Sequence, residues 1–264
     1  MKLKNIFLVL MLSSAAIFSG GIKAQTCTGG TTTVSSSISG KQSITSDNLC
    51  FTVTSTGSIN NNSEYGIASE GKTGLVIINN GDILNSGNTL DGIWNNSSGS
   101  ISLLNNNGRI IGGSSGVYND PGSLIGTLNN TGTITGLTEG INNNGTITNL
   151  NNAQGVGNTN GALTYKGALP TNYNIIINSA INYGQLSGIS VTGSTNFGIY
   201  AGGVNGVAAS VIAKGTYSRV LSGMTSANLA GTTAGNYNGF TWRLNNSSGS
   251  IWDLIVTGAS TTDT

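Results

Sequence analysis

An all-β fold, a parallel β-helix (solenoid) with a β-rich C-terminal capping module, is what this sequence predicts, on three observations. Gly followed by a branched aliphatic recurs as Gly92-Ile93, Gly116-Val117 and Gly140-Ile141, at steps of 24 residues. A second phrase, an aliphatic, an Asn run and then Gly-x-Ile, appears at Leu104–Ile110 and again at Leu128–Ile134, also 24 apart. Short Ile/Leu/Thr runs such as Ile101-Ser102-Leu103 and Thr133-Ile134-Thr135 alternate apolar with polar and are broken by Gly and Asn too often for helices of ordinary length. A fixed period of this size marks a solenoid, in which no unit buries its apolar face alone.

The repeats predict their own columns. In a parallel β-helix the same position on successive coils stacks about 4.8 Å apart. Ile83, Ile110 and Ile134 then form one inward ladder, and Ile67, Ile93, Val117 and Ile141 another. Asn residues at matching positions can stack as amide ladders, each side chain bonding the copy above and below. For the outer Asn of each run, solvated turns are the competing reading.

In chain order, residues 1–24 read as a secretory signal. Lys2 and Lys4 make the positive start, Ile6 to Phe18 the apolar stretch, and Ala24 the small residue before the cut. The apolar stretch is too short to span a membrane permanently. A lipoprotein cut at Cys27 is rejected, because Thr26 and Ala24 stand where a small and an aliphatic residue belong. Residues 25–162 form the Asn/Gly-rich β-helix repeats, whose last unit, from Gly140 to Gly161, is compressed. Residues 163–257 form the cap, and 258–264 a tail or linker. Ten of the 16 aromatic residues lie from Tyr165 onward, giving this part a denser core than the repeats. Phe240–Leu244, a turn at Asn245–Gly249 and Ile251–Val256 read as a hairpin.

Composition excludes several classes. Charged residues make up 7% and aromatics 6% of 264 residues, too few aromatics for a compact enzyme core. Removing residues 1–24 takes away Lys2, Lys4 and Lys23 and leaves 7 basic against 9 acidic residues, so neither nucleic acid nor an anionic membrane is an expected partner. The only cysteines, Cys27 and Cys50, follow the signal closely and are expected to pair in an oxidising export route, closing a loop over the first coil.

No catalytic constellation emerges. The chain has no His, which removes Ser-His-Asp and Cys-His chemistry in their usual forms. Gly81-Asp82-Ile83-Leu84 has Ile where a lipase-type block needs its nucleophile. Among Glu64, Glu70, Asp82, Asp91, Asp120 and Glu139, the pair Asp91 and Glu139 precedes the Gly-Ile phrase two units apart, roughly 10 Å by stacking. That reaches the limit for an inverting glycosidase pair, and two solvated corner carboxylates is the simpler expectation. Asp82 and Arg109 share the x of Gly-x-Ile and are expected to pair on the surface. The nonapeptide repeats that bind calcium are missing. Thr131, Thr133 and Thr135 suggest an ice-binding face, but Asp82 and Arg109 interrupt the array. Tyr65, Trp94 and Tyr118 lie at or beside the Gly-Ile corners and are candidate surface contacts, with local packing as the competing reading for Trp94. No metal site and no cofactor are expected.

Beyond residue 162 the chain carries a resemblance. Leu163-Thr164-Tyr165-Lys166-Gly167, Tyr173-Asn174-Ile175-Ile176-Ile177, Phe197-Gly198-Ile199-Tyr200, Gly215–Gly223 and Tyr237–Leu244 through Ile251–Leu254 resemble passenger regions of bacterial type V autotransporters. The likeness is to the segment just before the membrane translocator, and with the signal and repeats it covers most of the mature chain. It implies export by way of the periplasm, display on the cell surface or outer membrane or release from it, and an autochaperone-like cap that helps the β-helix fold. Such families continue into a C-terminal β-barrel, which this sequence, ending at Thr264, does not contain. Either a fragment or processed passenger, or a passenger-like protein without its own translocator, is expected. No stable membrane insertion is expected of this chain, since strands of about 10 residues with aromatic girdles are not seen. The expected function is non-catalytic, adhesion or surface display, with host matrix, a glycan or a second copy as partner. The alternative, an exported β-helix enzyme acting on polysaccharide, rests on fold analogy.

Overall fold

The computed structural model describes residues 27–87, 89–203 and 206–258. The signal-like segment 1–24 and the tail beyond Gly258 lie outside the described residues. The chain is a parallel β-solenoid of about seven turns, and at about 4.8 Å per turn the stack is roughly 34 Å long.

Three parallel sheets form the sides. The first face stacks Thr31–Val34, Cys50–Val53, Leu75–Asn79, Ser100–Asn106, Leu124–Asn130, Thr146–Asn152, Asn172–Ile175 and Asn196–Ile199. The second stacks Ser37–Ser39, Ser58–Asn61, Asp82–Asn85, Arg109–Gly112 and Thr133–Gly136. The third runs from Gln42–Ser43 and Ile67–Ala68 through Ile93–Asn95, Ser115–Asn119, Glu139–Asn143 and Leu163–Ala168 to Leu186–Thr192.

The registers follow the repeat. Ile83 pairs with Ile110 and Ile110 with Ile134 on the second face. Ile67, Ile93, Val117 and Ile141 align on the third. All seven side chains are 0% exposed. Gly recurs beside this second column because the corner has no room for a side chain. A Cβ at Gly116 would lie 2.6 Å from Ile134 Cγ2 and 2.8 Å from the Gly140 oxygen, closer than real Cβ atoms come.

The Asn runs resolve into ladders. Asn79 donates to Asn106 Oδ1 (2.8 Å), Asn106 to Asn130 (2.9 Å) and Asn130 to Asn152 (3.0 Å), and all four side chains are fully buried. Each of the first two also donates to the backbone oxygen of the following turn, Arg109 and Thr133 respectively. On the third face Asn95 donates to Asn119 and Asn119 to Asn143, both at 2.7 Å. A further ladder runs the opposite way, Asn129 donating back to Asn105 (2.7 Å), Asn151 to Asn129 (2.6 Å) and Asn174 to Asn151 (2.8 Å). Solvated turns therefore do not describe Asn105, Asn129 or Asn151, which are at most 3% exposed. Buried amides need such partners, since an orphaned one costs about 1–3 kcal/mol.

The compositional step at residue 163 changes the core but does not end the stack. Leu150 is followed in its column by Tyr173 and then Phe197, and Ile141 by Tyr165, with the strands still parallel. The rings fill the core at this end of the stack, and the Tyr165 hydroxyl donates to the Ala168 oxygen at 2.6 Å. A small antiparallel sheet of Gly155–Val156, Asn182–Gly184 and Ile177–Ser179 lies beside the stack. On the third face parallel pairing gives way at Gly215–Ser222, which pairs in parallel with Leu186–Thr192 on one side and antiparallel with Ile251–Gly258 on the other. The hairpin Phe240–Ser248/Ile251–Gly258 and the strand Ala234–Tyr237 complete this sheet. The hairpin turn is tighter than the sequence implies. Asn245 and Asn246 pair within the strands, and the chain reverses at Gly249-Ser250, where Asn246 Nδ2 donates to the Gly249 oxygen (2.8 Å). Trp242 packs edge-on against Phe197, ring centroids 5.6 Å apart, and closes the C-terminal end of the core.

Candidate functional site

Cys27 and Cys50 are disulfide-bonded, Cα to Cα 5.4 Å, and tie the segment before the first strand to the second strand of the first face. The bond closes a 23-residue separation at the N-terminal end of the stack.

The three aromatic candidates stand together on the third face. Trp94 and Tyr118 occupy the same column on adjacent coils, and Asn142 and Lys166 continue it. Tyr65 lies flat on Trp94, ring centroids 4.2 Å apart with 23° between planes. All three rings are half-buried. The Trp94 indole nitrogen is buried and has no hydrogen-bond partner among the described residues, so what the ring presents to solvent is hydrocarbon. The Tyr118 hydroxyl accepts from Asn144 Nδ2 at 3.2 Å. The Tyr65 hydroxyl is held above its ordinary pKa, first by burial and then by the charges of Asp91 and Asp120 and by Tyr118.

Beneath this ledge the carboxylates depart from expectation. Asp91 and Glu139 are 6% and 3% exposed, not solvated corner residues. Ser115 lies between them in the column. Its backbone N–H donates to Asp91 Oδ1 (2.8 Å), and its hydroxyl donates to Glu139 Oε1 (3.0 Å). The pattern residue-Gly-aliphatic reads as an exposed corner, but the side chains preceding Gly92 and Gly140 are buried and bonded to Ser115. Burial pushes the Asp91 carboxyl up to about 6, opposed by the Ser115 hydrogen bonds and assisted by the charges of Glu139 and Asp120. The other candidate carboxylates are surface groups. Asp82 accepts a bidentate pair of bonds from Arg109 at 2.8 and 2.7 Å. Glu70 accepts from Lys41 at 2.9 Å, which holds the carboxyl below its ordinary pKa.

A polar cleft of about 370 Å³, missed by sequence reasoning, opens where the second face turns into the third. Ser39, Asn60, Asn62, Ser63, Glu64 and Ser86 line it, along with Gly40 and Asn61. Its floor is built by Asn61, which donates to the Tyr65 oxygen (3.0 Å) and accepts from the Asn62 and Ser63 N–H groups. Tyr65 follows the lining residue Glu64 directly and its backbone oxygen is held by Asn61, so the first ring of the ledge is rooted beside the cleft. The lining comes from three coils and shares no motif, which hides it in the sequence.

Among the described residues, no three His, Cys, Asp or Glu side chains cluster to hold a metal ion. No helix among them is long and apolar enough to cross a membrane. The fold defines the class: a parallel β-solenoid with an antiparallel cap. Comparison with protein-family models, with curated proteins and with solved structures finds no match to this chain.

Proposed function

We propose that this chain is an exported, autotransporter-like passenger that works at the cell surface or in the medium by extended contact, in adhesion or surface display. The observation that carries the reading is the half-buried aromatic row Tyr65, Trp94 and Tyr118 on a regularly stacked face. Large rings that reach solvent together are costly to leave bare and mark contact surfaces. The disulfide supports an oxidising destination, as does the signal-like start. The phrases after residue 162 that resemble pre-barrel segments lie in the aromatic end of the stack and in its cap, where such segments would support folding outside the cell. Extended contact is favoured over chemistry because Asp91 and Glu139, the best-spaced carboxylates, are buried and held by Ser115 rather than offered to a substrate.

The test is a binding panel. Purified, folded protein is passed over immobilised matrix proteins, glycans and itself. Retention on at least one of these, without turnover of it, is expected. Absence of binding across the panel counts against a contact function.

A further inference from the structure

We propose that the cleft beside Glu64, together with the Tyr65–Trp94–Tyr118 ledge, is a binding site for neutral or amino-sugar glycans. The inference rests on the contact reading above and names its ligand. Two independent features converge. Every residue lining the cleft is Ser, Asn, Glu or Gly, so hydroxyl, amide and carboxylate groups stand beside short aliphatic carbons, which suits a ligand dense in hydroxyls. The side chains of Asn62, Ser63 and Glu64 are exposed and make no hydrogen bond within the described residues, so their polar atoms are free for a ligand.

The ledge supplies the complementary half. A pyranose has one face of C–H bonds, and aromatic rings with an apolar body and a wet edge bind such faces. Trp94 presents ring carbon, since its N–H is turned into the protein. Tyr65 braces Trp94 by stacking, so little side-chain freedom is left to lose on binding. Trp94 and Tyr118 are one coil apart, about 4.8 Å, close to the length of one sugar unit. A chain anchored by its end in the cleft can therefore run along the stack with successive rings over successive coils.

Charge selects among glycans. Glu64 lies in the cleft, and Asp91 and Asp120 act on Tyr65. The nearby cation, Lys41, is bonded to Glu70 at 2.9 Å. The field here is negative, which disfavours uronic-acid and sulfated chains and favours neutral or protonated amino sugars.

The experiment is calorimetric titration of the folded protein with cello-oligosaccharides, chitosan oligosaccharides and a heparin oligosaccharide. Binding of one or both of the first two and none of heparin is expected. Asn62→Ala with Glu64→Gln, and separately Trp94→Ala, each weaken that binding by about tenfold or more. The first variant changes only exposed side chains, so its melting temperature stays that of the parent. No binding to either uncharged or amino-sugar chains, tighter binding to heparin, or binding indifferent to both variants overturns the site. If the protein then still binds matrix protein or itself, the contact reading survives and the glycan site alone falls.

Discussion

Asn106 Nδ2 donates to Asn130 Oδ1 at 2.9 Å, one coil away, where neither side chain touches solvent. That bond is one rung of a continuous ladder from Asn79 to Asn152. Replacing Asn106 by Ala leaves Asn130 Oδ1 without this donor and Asn79 Nδ2 without this acceptor. We expect a loss of about 3 kcal/mol in denaturant unfolding. Asn107→Ala, one residue on but exposed and bonded only to Asn80 and Thr131 side chains, changes stability by about 0.5 kcal/mol or less.

Gly116→Ala tests the corner. The added methyl meets Ile134 Cγ2 and two backbone oxygens, those of Gly140 and Thr135, all within 2.8 Å. The backbone oxygens cannot yield without breaking the stack, and a destabilisation of about 2–3 kcal/mol is expected. A change of a few tenths would show that the corner is looser than its geometry.

Asp91 predicts how stability varies with pH. Its folded pKa, about 6, lies above its ordinary value of 3.8. A raised carboxyl stabilises the fold fully below the unfolded value and loses that contribution as pH rises through 6. The carboxyl faces Glu139 and Asp120, whose charges add to the effect. Stability at pH 5 should therefore exceed that at pH 7.5 by about 1.4 kcal/mol, with melting temperature following. Asp91→Asn keeps an acceptor for the Ser115 N–H and should flatten this step. A wild-type profile already flat between pH 5 and 7.5 would contradict the burial argument.

Arg109 and Asp82 supply the contrast. The pair is bidentate, yet the side chains are 52% and 30% exposed. A double-mutant cycle with Arg109→Ala and Asp82→Ala should return about 1 kcal/mol or less, falling further in high salt.

The repeat made much of the fold legible. A 24-residue step aligns Ile110 with Ile134 by arithmetic, and the ladders of Asn79 and Asn95 follow once the coils are stacked. The continuation past residue 162 was hidden because Tyr165, Tyr173 and Phe197 replace aliphatics in the same columns and so look like a new core. The buried Asp91–Ser115–Glu139 column was hidden for a related reason, since polar residues before Gly carry no mark of facing inward. Tyr65, Trp94 and Tyr118 were legible as neighbours of the corner. The cleft beside them was not, because Ser39, Asn62 and Ser86 meet only when three coils are stacked.

A solenoid proposed to act outside the cell must be found there. The most direct test is fractionation of the cells that make it, with an antibody to residues 25–264 and proteolytic shaving of intact cells. Protein without residues 1–24 is expected on the outer surface, lost on shaving, or in the medium. Uncleaved protein confined to the cytoplasm and protected from shaving would contradict the proposal.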